Sequence, residues 1–339
     1  MPERTKRLHA GLVAAVVLAA SSCIGHHTAA PLERIEQIMA LPFPVAYHRV
    51  PVDLKGWVTL SDPTTNLVCL EDGTGAARVI LPFLNIDLRM GNTLEIIGEV
   101  NEGGPTPTIV ASEAMLLEGT HEPLAPPVQV ADLTAGRTGF RYVAVKGVLR
   151  SWRQDRSGHA IIRLGSGATA FEAAVFSTDL ANLTDKIGSR IRIRAVANLS
   201  RDVYGRTALV QMWVPRNTDV EVLSPAPQSI RVQNIREVAA LPGNTLAERA
   251  LHLHGSIQSD GVREELRLED DSGSIRIRPA PNAVLPVGEV VDVAAFAELD
   301  GGELKITDAR LVEGVQANPG AHPADQDRGS SPPWPKFTP

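Results

Sequence analysis

Apolar and polar residues alternate along most of this chain with a period of two, and glycine, aspartate and serine break the alternation at intervals that recur three times. The clearest copy opens with Val52, Leu54, Gly56 and Val58. It continues through Leu70, Glu71, Asp72 and Gly75, then Gly91, Leu94 and Ile96, and closes on an apolar run at 107–117. A second copy runs from Val143, Val145 and Gly147 through Leu164, Ser166 and Gly167 to Gly188, Ile191 and Ile193. The third shows Leu251, Leu253 and Gly255, then Leu268, Asp270 and Gly273, then Gly288, Val291 and Val293. From the first landmark glycine to the second is 19, 20 and 18 residues, and to the third 35, 41 and 33. Alternation of this kind predicts strands, and its return at such spacing predicts one folding unit used three times.

Asp72-Gly73, Ser166-Gly167 and Ser272-Gly273 fall between the second and third strands of each unit and suit tight hairpins that need positive φ. A longer piece joins the third strand to the fourth at 83–90, 177–187 and 279–287, and the middle one can form a helical turn or two. Five strands with an insertion after the third is the order of the OB-fold barrel; a short β-sandwich is the rival arrangement. The expected class is therefore all-β: three tandem OB-like five-stranded barrels with short lead-in helices. Leu32, Ile35, Ile38 and Met39 have helical spacing behind Pro31 and predict a helix over 31–40. Similar lead-ins stand at 128–133 and 230–235. The proline-rich pieces 122–127 and 224–227 read as stiff spacers. The modules are placed at 46–119, 128–224 and 229–315, with a tether and lead-in at 23–45 and a polar, disordered tail at 316–339.

Residues 1–22 read as a signal peptide, with a basic start at Arg4, Lys6 and Arg7 and an apolar run over 10–20 too short to span a bilayer permanently. The run ends in Leu18, Ala19, Ala20, Ser21, Ser22 and Cys23, which resembles a bacterial lipobox, with Ala20 in the place of the usual leucine. That resemblance implies lipidation of Cys23. The one other cysteine, Cys69, lies in an alternating strand and reads as a buried free thiol.

Taken together, the series Val-x-Val-x-Gly, Leu-Glu-Asp-x-Thr/Ser-Gly and Gly-x-x-Val/Leu resembles tandem OB-like modules in exported sensor regions of bacterial signalling proteins, over roughly 46–315. In that family the array precedes a membrane helix and a histidine kinase. Here the sequence shows no second hydrophobic span and no kinase region.

Charge adds one asymmetry. Residues 46–119 hold 4 Lys and Arg against 10 Asp and Glu, residues 128–224 hold 14 against 8, and residues 229–315 hold 9 against 15. A basic module thus stands between two acidic ones. Arg190, Arg192 and Arg194 alternate along one strand and project from one face. With Arg150, Trp152, Arg153, Arg201, Tyr204 and Arg206 they form a candidate face for an anionic polymer, or for docking onto the acidic neighbours.

His252 and His254 share a strand face and are weak metal candidates; their alignment with Ala144 and Lys146 predicts a solvated face. The acidic pairs at the hairpin tips read as turn formers rather than calcium ligands or acid–base pairs. No cofactor is expected, and no nucleophile elbow, P-loop or dinucleotide fingerprint is present. The expectation is an exported, lipid-anchored, non-catalytic binding or sensor-like protein facing the periplasm or cell exterior. Its partners are the membrane, through the lipid, and a protein or an envelope polymer, with nucleic acid unfavoured. A scaffold subunit of an envelope membrane-protein complex and an anionic glycan or nucleic-acid binder are the alternatives.

Overall fold

The computed structural model describes residues 30–41, 49–82, 87–101, 107–135, 139–176, 183–201, 207–259 and 265–312. Cys23, Tyr204, Arg206 and the predicted tail lie outside them, and Arg201 is described in backbone only.

Alternation becomes barrel wall. In β1 (Val50–Asp62), Val52, Leu54 and Val58 are buried while Lys55 is exposed. With β2 (Leu67–Glu71), β3 (Ala76–Ile80), β4 (Asn92–Asn101) and β5 (Thr108–Thr120) it closes in the order β1-β2-β3-β5-β4. The β3–β5 contact is parallel and every other pairing is antiparallel.

The second module repeats this circuit with β6 (Tyr142–Gln154), β7 (Ala160–Ser166), β8 (Thr169–Val175), β9 (Arg190–Arg201) and β10 (Thr207–Val214), closed by the β9–β10 pairing. A sixth strand, β11 (Val220–Ser224), pairs with the outer edge of β9. In the third module the short β12 (Val232–Gln233) lies beside β13 (Ala250–Ser259), which closes with β14 (Leu266–Asp270), β15 (Gly273–Pro279), β16 (Val290–Asp300) and β17 (Glu303–Leu311). All three barrels share the parallel contact between their third and fifth strands. The expected class and strand order are therefore present; β11 and β12 are additions that the five-strand reading lacked.

Each barrel is plugged by its lead-in helix through two apolar residues one turn apart. The pairs are Ile35 and Ile38 on α1 (Ile35–Met39), Val130 and Leu133 on α2 (Val130–Thr134), and Ile235 and Val238 on α3 (Ile235–Ala239), all buried. The first helix begins four residues later than its pattern predicts, because Leu32 is taken up in a bridge to Val52.

The hairpin aspartates hold these plugs. One oxygen of Asp72 accepts from the Ile35 amide at 2.7 Å, and the other from Thr74 and Gly75 of its own turn at 2.8 and 2.9 Å. Asp270 repeats the arrangement with Ile235, Ser272 and Gly273 at 2.8, 2.7 and 3.0 Å. These carboxylates are structural, as turn chemistry suggested. The middle module has Ser166 in this place, since Gly165 pairs opposite Val148 just as Glu71 pairs opposite Trp57 and Glu269 opposite Ser256. That register also corrects one equivalence: Gly167 stands at the position of Gly73, not of Gly75, whose counterpart is Thr169.

The inter-barrel joints and the basic face

Residues 31 onward cluster as one unit, and the barrels within it meet by one repeated relation. The outer face of strands one to three of a barrel receives the start of strand one, strand four and strand five of the next. Register identifies the matching positions. Tyr142 pairs with Val196 and Val196 with Trp213; in the third barrel Ala250 pairs with Phe296 and Phe296 with Thr307.

The first joint is apolar. Leu60, Leu67, Cys69 and Ala76 of the first barrel form one buried cluster with Phe140, Tyr142, Val196 and Trp213 of the second. Glu71 sits at its edge and accepts a hydrogen bond from the Tyr142 amide at 2.6 Å. Burial pushes the Glu71 carboxyl up to about 7, although the Tyr142 amide and Arg141 pull the other way. Cys69 is free and fully buried, which drives its thiol far above the usual range.

The second joint is ionic. Arg150 is 0% exposed. Its Nε lies 3.0 Å from Asp308 Oδ2 and one terminal nitrogen 3.3 Å from Glu298. The other terminal nitrogen donates to Thr307, and the guanidinium carbon stands 5.1 Å from the Phe296 ring centroid. Arg163 joins the same carboxylates, at 2.7 Å from Glu298 and 3.5 Å from Asp308. Burial lowers the basicity of Arg150 against the pull of both acids, and pushes Arg310, which donates to the Arg150 carbonyl at 3.0 Å, down to about 10.

At the rim, the Gly167 amide donates to Glu248 at 2.7 Å and its carbonyl accepts from Ala247 at 3.0 Å. The turn that clamps a helix in the outer modules is thus the landing point for the third barrel in the middle one. Gly165 makes the approach possible, because a Cβ there would overlap the Ala247 carbonyl oxygen.

Among the described side chains, the rest of the predicted basic face is already paired. Arg190 reaches Glu248 of the third module at 2.8 Å. Arg192 and Arg194 do share a face, but both pair with Glu221 of β11, at 3.0 and 3.3 Å. Arg153 pairs with Glu172 at 3.1 Å, and the Trp152 indole donates to Thr184 at 3.0 Å. Sequence reading missed Arg163, Glu298 and Asp308. An arginine inside Ile161-Ile162-Arg163-Leu164, at the register position of Cys69, was the available signal.

His252 corrects the expectation of a solvated face. It is 7% exposed, covered where β12 pairs beside it, with its ring nitrogens 3.3 Å from the Ile230 carbonyl and 3.1 Å from Asp292. The exposed His254 takes the other Asp292 oxygen at 3.2 Å. Burial raises Asp292, yet the two imidazoles outweigh it and hold the carboxyl below its ordinary value. No cluster of three metal-ligating side chains occurs among the described residues. No helix among them is long and apolar enough to cross a membrane.

No protein-family model and no curated protein matches the chain. Among solved structures it is similar to the p204 HINb domain, at 13% identity and a TM-score of 0.26 over 52% of this chain and 98% of that one. A murine DNA-binding protein bound with double-stranded DNA matches at 11% and 0.28, over 53% and 99%. A Leishmania major protein described as an aspartyl-tRNA synthetase matches at 11% and 0.26, over 34% of this chain and 24% of its own length. Likenesses at these scores carry no argument about function or about how the barrels are arranged.

Proposed function

We propose that this is an exported, lipid-anchored, non-catalytic protein whose three OB-like barrels act together as a fixed platform for a partner in the cell envelope. The observation that carries the reading is the burial of Arg150 between Glu298, Asp308 and Thr307. A fully desolvated guanidinium with three partners on the next barrel favours one orientation, because a joint packed in another way would bury the charge without those partners. Of the arginines in that module, Arg150, Arg163 and Arg190 serve that joint, and Arg153, Arg192 and Arg194 pair with Glu172 or Glu221, which leaves less of the basic face for a polymer. Export and the anchor rest on the leader pattern ending in Cys23, and the sensor-region resemblance fits a binding role without chemistry.

Two measurements test the proposal. Expressed in a bacterium, the chain should incorporate labelled palmitate, and Cys23→Ala should abolish the label. Heparin and an oligothymidylate, titrated at physiological salt, should bind with dissociation constants above about 0.1 mM, the range of weak non-specific contact. Micromolar binding that Arg192→Glu with Arg194→Glu removes would replace the platform reading with the polymer-binding one.

A further inference from the structure

The two joints follow the same relation, but they are not filled alike. Trp213 occupies the fifth-strand position in the first joint and is 8% exposed, with Tyr142 beside it. At the matching positions the second joint has Thr307 and Ala250. An indole and a phenol are thus replaced by a hydroxyl and a methyl; Thr307, though not Ala250, lines a cleft of about 250 Å³ between the second and third barrels.

We propose that this cleft binds a small organic anion, a single ring carrying a carboxylate or a phosphate ester. The inference does not rest on the platform reading. Thr307 lines the cleft, and Arg153, Arg163 and Arg278 converge on it. Arg278 is exposed, and its charge acts on the Asp300 carboxylate without a salt bridge to it. The ion pair of Arg153 with Glu172 is half exposed, the kind that contributes little and exchanges readily. Arg163 is held by Glu298 at 2.7 Å and more loosely by Asp308, whose carboxylate lies 3.5 Å from its Nε.

Two carboxylates also line the cleft: Asp308, engaged by Ser151 at 2.6 Å and by Arg150 at 3.0 Å, and Glu172, paired with Arg153 at 3.1 Å. Three guanidiniums thus line the cleft beside two paired carboxylates, an excess of positive charge, and a forked guanidinium suits a carboxylate or phosphate. Ile161, Pro279 and Pro281 give apolar walls on either side, and guanidinium planes stack on rings. The volume lies below that of ordinary drug-sized pockets, so one ring and one anionic group fit and an oligomer does not.

Calorimetric titration of the full chain with benzoate, phenyl phosphate and inorganic phosphate tests this. At least one ring acid should bind with a dissociation constant at or below about 1 mM, and inorganic phosphate at least about tenfold more weakly. Arg153→Gln with Arg278→Gln, both at solvated positions, should weaken the ring acid about tenfold or more while leaving the thermal midpoint in place. Arg278→Gln alone should do part of this, and serves if the double variant folds poorly. Absence of binding by both ring acids up to about 10 mM overturns the proposal, as does unaltered binding by the variants. Equal affinity for inorganic and phenyl phosphate removes the ring from it.

Discussion

The Nε of Arg150 lies 3.0 Å from Oδ2 of Asp308. The other oxygen of that carboxylate accepts from the Ser151 hydroxyl at 2.6 Å, so two consecutive residues of one barrel hold a single side chain of the next. Arg150→Ala leaves Asp308 and Glu298 desolvated with Arg163 as their remaining salt-bridge partner, and should destabilise the chain by about 3 kcal/mol in denaturant titration. Arg150→Met should be milder, since the methionine fills the space beside Phe296. A loss under about 1 kcal/mol for the alanine variant would mean that the joint is hydrated in solution.

Gly165→Ala should have a larger effect than its single methyl suggests. The new Cβ meets backbone, the Ala247 carbonyl, rather than a side chain that can turn away. The second joint must shift or open, and amide exchange at Ala247 and Gly167 should rise by an order of magnitude or more (about 1.4 kcal/mol for each tenfold) while the first barrel keeps its protection.

Glu71 should make the first joint sensitive to pH. Its carboxyl titrates near 7 in the folded chain because burial disfavours the charge, against an ordinary value near 4.5. The folded state therefore holds a proton that the unfolded state has released. Stability should fall as pH rises from about 4.5 to 7 and level off above that, by on the order of 1–3 kcal/mol. Glu71→Gln should flatten this part of the profile and raise the thermal midpoint at pH 8 relative to the parent chain.

Asp270 should act in the opposite sense. Burial raises its carboxyl, but hydrogen bonds from Ser272, Ile235 and Gly273 outweigh that and hold it below the ordinary value. The stability it contributes is present above the unfolded value and lost as pH falls through the folded one. Asp270→Ala should lower stability by about 1–2 kcal/mol, as loss of a helix cap does. It should also speed amide exchange at Ile235 at neutral pH and leave α1, which Asp72 holds, unchanged.

The barrels were legible because each local signal was redundant. In β9 the alternation of Ile191 and Ile193 with Arg190, Arg192 and Arg194 separates inside from outside without help from distant chain, and the structure agrees residue by residue. The basic face was harder. Arg150 and Arg192 look alike in sequence, yet one is sealed by β17 and the other is met by Glu221 from a sixth strand that the five-strand pattern did not call for. Which arginine is covered depends on residues more than 140 positions away in the Arg150–Glu298 case, and no local period encodes that. His252 went astray for the same reason, since the strand that covers it comes from the lead-in at 230–235.

The different chemistry of the two joints matters most while the protein is being made. A chain emerging N-terminus first can complete two barrels and close their apolar contact before the third exists. The face then left waiting carries Arg150, Ser151 and Arg163, which water solvates, rather than the leucines and cysteine of the joint already sealed. The unfinished molecule thus shows its surroundings an edge that carries charge instead of a wholly apolar one.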